Sequence, residues 1–194
     1  MKRQTNSKEK IKSAFVSLIS NIGFEKLTIT DITRQAHINR GTFYLHYKDK
    51  YDLIESLESD IINDLEKIFI QEVDVTGKDL TDLISYKITL KSIGYLKDNF
   101  DLIKALYVAE GESKFMLSLR NILEKLLFIK LAGSTNLNFP KTNIPIEYSI
   151  ELLLYSIISI ISLWIRRDGK ESPIEIANII NASKNIAPID LLSK

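Results

Sequence analysis

Apolar residues return at helical spacing along almost the whole chain. Ile11, Ala14, Phe15, Leu18, Ile19 and Ile22 form one stripe, the three-and-four periodicity of an amphipathic helix. Gly23 follows it, where a left-handed residue closes a helix, and Phe24 can fold back onto the last turn. Thr28-Ile29-Thr30-Asp31 reads as a capping box, in which hydroxyl and carboxylate satisfy backbone N–H groups reciprocally. A short second helix then places Ile29, Ile32 and Ala36 on one side. His37-Ile38 makes a turn, and Asn39 can cap a third helix from Arg40 to about Tyr47. Lys48-Asp49 breaks the pattern before a long fourth helix carrying Ile54, Leu57, Ile61, Leu65 and Ile68.

The remaining chain predicts five more helices. They run from Leu80 to about Asn99, Asp101 to Val108, Glu112 to about Ala132, Pro145 to about Arg167, and onward from Ser172-Pro173. Ser172 caps the last of these and Pro173 occupies its first turn. Loops are expected near Thr76-Gly77-Lys78, from Gly133 to Pro145, and at Asp168-Gly169, with a loose tail after Ala187-Pro188. Strand signals are scattered and unpaired. The fold class expected is all-α, with about nine helices.

From Leu152 to Ile165 the chain carries no charge, bounded by Glu151 and Arg166-Arg167. Those 14 residues fall short of the roughly 20 that a membrane span needs. A helix apolar on nearly all sides must still be covered, and a partner subunit is the natural cover.

Charge changes the picture of the first fifty residues. They hold ten Lys/Arg against four Asp/Glu, whereas the rest holds sixteen against twenty-one. The overall net charge of +1 therefore hides a basic head on an acidic body, which points to a polyanionic partner for the head. The absence of cysteine excludes disulfides, thiolate chemistry and Cys-ligated zinc. The polar start, Met1-Lys2-Arg3-Gln4-Thr5-Asn6-Ser7-Lys8, has no apolar core of a secretory signal, so a cytoplasmic location is expected.

Three short helices with tight turns make a helix-turn-helix geometry, whose second motif helix lies in the DNA major groove. The candidate is Asn39-Arg40-Gly41-Thr42-Phe43-Tyr44-Leu45-His46-Tyr47. Gly23 to Ile54, GFEKLTITDITRQAHINRGTFYLHYKDKYDLI, resembles the DNA-binding head of the TetR family of bacterial regulators. The likeness rests on the Gly-Phe pair, the Thr that opens the second helix, its Ile-Ala pair, and Gly-Thr-Phe-Tyr-x-His-Tyr followed by Lys-Asp-Lys. Trp164 to Ala177 is similar to the C-terminal end of a subgroup common in Gram-positive bacteria. The division expected is a DNA-binding head over 1–50 and a dimerisation and effector-sensing body over 51–194.

Chemistry and resemblance together assign roles in the head. Arg40 can bond guanine O6 and N7 in bidentate fashion, or serve as a surface or phosphate arginine. Gly41 either lets the helix approach DNA closely or meets a turn requirement. Asn39 sits at the cap. Thr42, Tyr44 and His46 suit phosphate contacts; a half-buried aromatic and a structural imidazole are the alternatives for the latter two. Thr28 caps its helix and can also meet a phosphate. Lys50 resembles the family's phosphate-binding lysine, with Lys48 a weaker candidate. Phe43 and Tyr47 belong to the core. Lys2, Arg3 and Lys8 either form a basic arm or lie in a disordered tail, the latter preferred.

For the body the resemblance implies a homodimer on the last two long helices, about 145–167 and 172–184, with double-stranded operator DNA as partner. Trp164 is either an interface anchor or core. The implied mechanism is release from DNA when an effector shifts the fourth helix. The effector is a small molecule or a protein partner, and no cofactor is expected. Phe69, Tyr86, Tyr95, Phe100, Tyr107, Phe115, Phe128, Phe139, Tyr148, Tyr155 and Trp164 either line a pocket or fill the core, with core preferred for most. Both histidines, His37 and His46, lie in the head. A His-ligated metal site in the body is therefore not expected, and Glu110 and Glu112 read as surface charges. An enzyme is not expected either: there is no Gly-rich phosphate loop after a strand, and no nucleophilic Cys. A DNA-bound adaptor without an inducer is the competing reading.

Overall fold

A computed structural model of the chain describes residues 2–72, 84–110, 112–133 and 144–184. Among them are nine helices: α1 (Lys2–Ile22), α2 (Ile29–Gln35), α3 (Arg40–Tyr44), α4 (Lys50–Glu72), α5 (Tyr86–Asp98), α6 (Phe100–Glu110), α7 (Glu112–Gly133), α8 (Ile146–Arg166) and α9 (Pro173–Ser183). The chain is all-α in these residues, as the periodicity predicts. The loop expected at residues 76–78, most of that at 133–145, the start expected at Leu80, and the tail after Ala187 lie outside the described residues.

Two boundaries differ from expectation. The segment carrying Lys2, Arg3 and Lys8 belongs to α1 rather than to a loose tail. No Gly or Pro interrupts residues 2–22, so nothing stops the helix from continuing outward from its apolar stripe. The third helix ends at Tyr44, not near Tyr47. His46 and Tyr47 both donate their N–H to the Phe43 carbonyl, at 2.9 and 3.0 Å, so the chain tightens into a closing turn with Leu45 exposed.

Packing groups the chain into two compact units, Met1–Asn63 with Asn99–Phe115, and Asp64–Asp98 with Met116–Lys194. The sequence reading divides the chain at residue 50 by role; packing instead adds the first part of α4 and all of α6 to the head. In the first unit Ile11, Ala14, Phe15 and Ile19 of α1 are buried, together with Ile32, Ala36, Phe43 and, on α6, Leu102, Ile103 and Leu106. Helix α1 packs against α2, α3 and α6. Gly23 closes α1 with φ +74° and its N–H on the Ile19 carbonyl at 3.1 Å, the left-handed cap that glycine adopts without steric cost.

In the second unit α9 packs against α5 and α8, through Ile88, Ile93 and Leu96, Leu154, Ile157, Ile161 and Ile165, and Ile176, Ala177 and Ile180. Ser172 and Glu175 form a capping box with Pro173 at the first turn of α9. Trp164 is 1% exposed. Its Nε1 donates to the Glu171 carbonyl at 3.0 Å, and the Lys97 ammonium lies 6.0 Å from its ring. It is therefore core within one protomer, and the interface-anchor alternative falls away. Arg120 of α7 pairs with Glu124 at 3.1 Å and with Glu151 of α8.

Helix α8 is long and apolar enough, by length and composition, to cross a membrane, yet only 33% of its most apolar window is buried. Tyr148, Leu152, Tyr155 and Leu163 are half or more exposed along one side. Ile174 and Ile179 are exposed on α9.

Candidate nucleic-acid interface

The head builds its third helix from two local devices. One is the turn that leads into it. Ala36 donates to Ile32 O, and Ile38 donates to Thr33 O at 3.0 Å; His37 between them holds φ +52°. His tolerates this left-handed region better than most non-glycine residues, at a cost near 1 kcal/mol. The other device is the cap. Asn39 Oδ1 accepts the Thr42 N–H at 2.7 Å and the Thr42 hydroxyl at 2.9 Å, an arrangement typically worth about 1 kcal/mol.

A tertiary pin fixes the helix in rotation. Phe43 is fully buried, and its ring meets those of Tyr44 and Tyr47 at 5.7 Å each. Burial pushes the Tyr47 phenol above its ordinary range, with Asp60 adding to the effect. With Phe43 inward, Arg40, Gly41, Tyr44 and Leu45 are left exposed. Arg40 Nη2 donates to the Tyr44 hydroxyl oxygen at 3.2 Å, and its guanidinium lies 6.0 Å from that ring. Four of its five N–H donors remain for a ligand, on a side chain already ordered by Tyr44.

Gly41 needs no unusual backbone, so the turn alternative does not explain it. Instead, a Cβ there would stand 3.3 Å from Asn39 Oδ1, tight against the cap. His46 is half-buried beside Tyr47, 6.1 Å between rings, and Lys48 is exposed.

Thr28 forms the capping box expected. Its hydroxyl accepts the Asp31 N–H at 3.2 Å, and Asp31 accepts the Thr28 N–H at 3.1 Å. The same hydroxyl donates its one proton to Asp31 Oδ2, so in this arrangement it has no proton left for a phosphate. The Thr42 hydroxyl is likewise committed to Asn39. These hydrogen bonds, with Arg34 at 2.5 Å, hold the Asp31 carboxyl below its ordinary value of 3.8, the Thr28 hydroxyl contributing most.

Lys50 lies elsewhere. Its ammonium donates to the carbonyls of Phe24, Leu27 and Glu25 at 3.0, 3.1 and 3.2 Å. It also sits 4.5 Å from the Phe24 ring and 5.6 Å from that of Tyr51. An ammonium has three N–H donors, and all three are engaged inside the head. In this arrangement the ammonium has no further N–H donor to spare. The Phe24 ring meets that of Tyr51 edge-on at 5.3 Å.

The sequence reading missed one neighbour of the site. Asn6, Ser7 and Lys10 of α1 share a groove of about 380 Å³ with Ile38, Asn39 and Thr42. The signal was present: Lys10 lies four residues before Ala14 and adjoins the buried Ile11, which aims it beside the core stripe rather than opposite it.

The head's sequence and that of the body both match known proteins. Residues 11–57 match the bacterial regulatory proteins of the tetR family, and residues 85–184, more than half of the chain, match a TetR-type transcriptional regulator C-terminal region. The chain belongs to the TetR family. Both matched regions are those of transcriptional regulators. Over 63 residues, 32% of each chain, it is 38% identical to the helix-turn-helix regulator YvdT of Bacillus subtilis. The chain spans between a fifth and a third of the length of the curated relatives it matches. A TetR regulator from Streptococcus agalactiae shares the fold with TM-score 0.65 at 23% identity, over 94% of this chain and 96% of that one. The dihydroxyacetone kinase operon activator DhaS does so with TM-score 0.61 at 18% identity, over 92% and 93%.

Proposed function

We propose that this regulator works as a homodimer on a palindromic operator, with Arg40 reading a base in each half-site. The observation that carries this reading is the exposed Arg40–Tyr44 pair on a helix whose opposite side is locked by Phe43. A guanidinium held in place before binding loses less side-chain freedom on contact. Asn39 offers its Nδ2 donors, because Oδ1 is held by Thr42. Tyr44, His46 and Lys48 contact the backbone, and Gly41 keeps the approach open. Thr28 and Thr42 contribute through backbone geometry unless their hydroxyls are released on binding.

The two protomers join through the open faces of α8 and α9. Tyr148, Leu152, Tyr155 and Leu163 repeat along α8, and covering each such side chain contributes about 1.5–3 kcal/mol. The partner-facing reading is preferred to a bilayer because Glu151 of the same helix is already ion-paired with Arg120. Two heads on one axis read half-sites about 34–36 Å apart, in the cytoplasm where the DNA lies. Repression follows most simply, since a bound dimer blocks polymerase without further contacts. An effector, small molecule or protein, releases it by binding the DNA-free state better. Activation through a protein partner is the second reading, favoured by the shared fold of DhaS, an operon activator by name.

The test is fluorescence anisotropy on DNA from upstream of the protein's own gene and on scrambled DNA, across a salt series. Selective binding at about 10⁻⁸ M or tighter, with two protomers per site, is expected. Equal binding to both DNAs, abolished by salt, would sink the operator reading.

A further inference from the structure

We propose that Lys10 of α1 is a further DNA ligand of this head: its ammonium takes a backbone phosphate of the operator in the groove between α1 and the start of α3. The inference rests on the reading of α3 as the helix that faces DNA. Successive residues of a helix turn by about 100° each. Asn6, Ser7 and Lys10 therefore share one side of α1, next to the buried stripe that begins at Ile11. That side meets His37, Asn39 and Thr42 across the groove of about 380 Å³.

Charge and hydrogen bonding both favour an anion there. Among the described residues no carboxylate lines this part of the groove. The groove continues past Lys10 and His37, away from α3, into a stretch of about 310 Å³ whose lining includes Glu9; the acidic residue thus leaves the α3 end to the anion. Lys10 is exposed, and among the described residues no hydrogen bond or ion pair engages its ammonium, so three N–H donors are open. Across the groove, Asn39 commits Oδ1 to the Thr42 N–H and hydroxyl, which leaves its Nδ2 donors to the same ligand. These donors suit an oxygen-rich anion, and DNA presents one beside every base within reach of α3. An ammonium is a point charge with rotatable donors; it fixes where a strand lies and carries no sequence information. Arg40, one residue after Asn39, then reads a base on a strand already held from the α1 side.

The test compares three lysines of one helix. Lys8 and Lys12 stand two residues to either side of Lys10, about 200° around α1 from it. Lys10→Gln is expected to lower the slope of log affinity against log salt by about 0.9 per head. That is a loss of about fivefold per head at roughly 0.15 M salt, vanishing near about 1 M and equal on operator and scrambled DNA. Lys8→Gln and Lys12→Gln should keep the wild-type slope. A neutral methylphosphonate placed at each operator position in turn then locates the contact: at one position per half-site it weakens the wild type and has no further effect on Lys10→Gln. Equal slope changes for all three lysine variants would reduce Lys10 to part of the head's diffuse field and overturn the proposal, as would additive losses at every methylphosphonate. Inorganic phosphate at constant ionic strength decides the source of the anion. No competition with DNA is expected; competition in the wild type that Lys10→Gln abolishes would make the groove a free-anion site and refute the assignment to DNA. Should the wild-type chain show no selective DNA binding, the operator reading fails, while the three slopes on scrambled DNA still decide the role of Lys10.

Discussion

The open side of α3 and the open side of α8 are both exposed, and they are made of opposite chemistry. On α3 the exposed side chains are Arg40 and Tyr44, joined by a hydrogen bond. On α8 they are Tyr148, Leu152, Tyr155 and Leu163, with exposures of 50–67%, and Ser159 among them. Water tolerates the first surface indefinitely. The second has a free-energy cost that only cover removes. Exposure alone therefore does not describe a surface: under the proposed function one waits for a charged polymer whose binding varies with salt, and the other for an apolar partner whose binding depends on concentration.

Breaking the support of the polar face should have the largest effect. Phe43→Ala empties a fully buried site in the head and is expected to lower its stability by about 3–5 kcal/mol, read as an early melting transition by circular dichroism. An unchanged melting curve would mean that α3 is held by something other than this ring. Next comes the apolar face. Leu152→Glu with Tyr155→Glu should raise the dimer dissociation constant by about a hundredfold or more, given roughly 1.5–3 kcal/mol per covered side chain, in sedimentation velocity. A dimer of wild-type stability would move the interface off α8. Arg40→Ala should then cost about 1–3 kcal/mol of discrimination at one base pair per half-site, measured on operator variants; uniform weakening across variants would make Arg40 a phosphate contact.

The smallest effect is electrostatic. Asp31 has its carboxyl lowered below 3.8, first by the Thr28 hydroxyl and then by the Thr28 N–H. A depressed folded-state value means that the box stabilises the head fully above the unfolded value and loses that contribution as pH falls through the folded one. Carbon shifts of Asp31 in an acid titration should show a midpoint below 3.8, and Thr28→Val should return it upward. A midpoint insensitive to that change would dissociate the cap from the carboxylate.

What could be read in the sequence was what is local. The Thr28–Asp31 box, the Ser172 cap, the Gly23 stop and the Asn39 cap all act within four residues, so residue type and spacing are enough to find them. The helical stripes were legible for the same reason. Trp164 was ambiguous because the acceptor of its indole N–H, the Glu171 carbonyl, lies past the turn that ends α8. The carbonyl contacts of Lys50 could not be foreseen because the three acceptors are backbone atoms of a distant connector, which carry no sequence signature. Lys10 was overlooked because α1 was read for its buried stripe and not for what flanks the turn at His37. The membership of α6 in the head's unit also could not be foreseen, since it depends on packing against α1.

The chain has a single tryptophan, and Trp164 is sealed in the second unit under Lys97. The first unit carries tyrosines and phenylalanines only. Light absorbed at the red edge of the aromatic band therefore excites one ring in one half of the molecule. Its emission would report the body's melting, or the arrival of an effector, without interference from the DNA-binding half. No label or engineered probe is required to follow the second unit by itself.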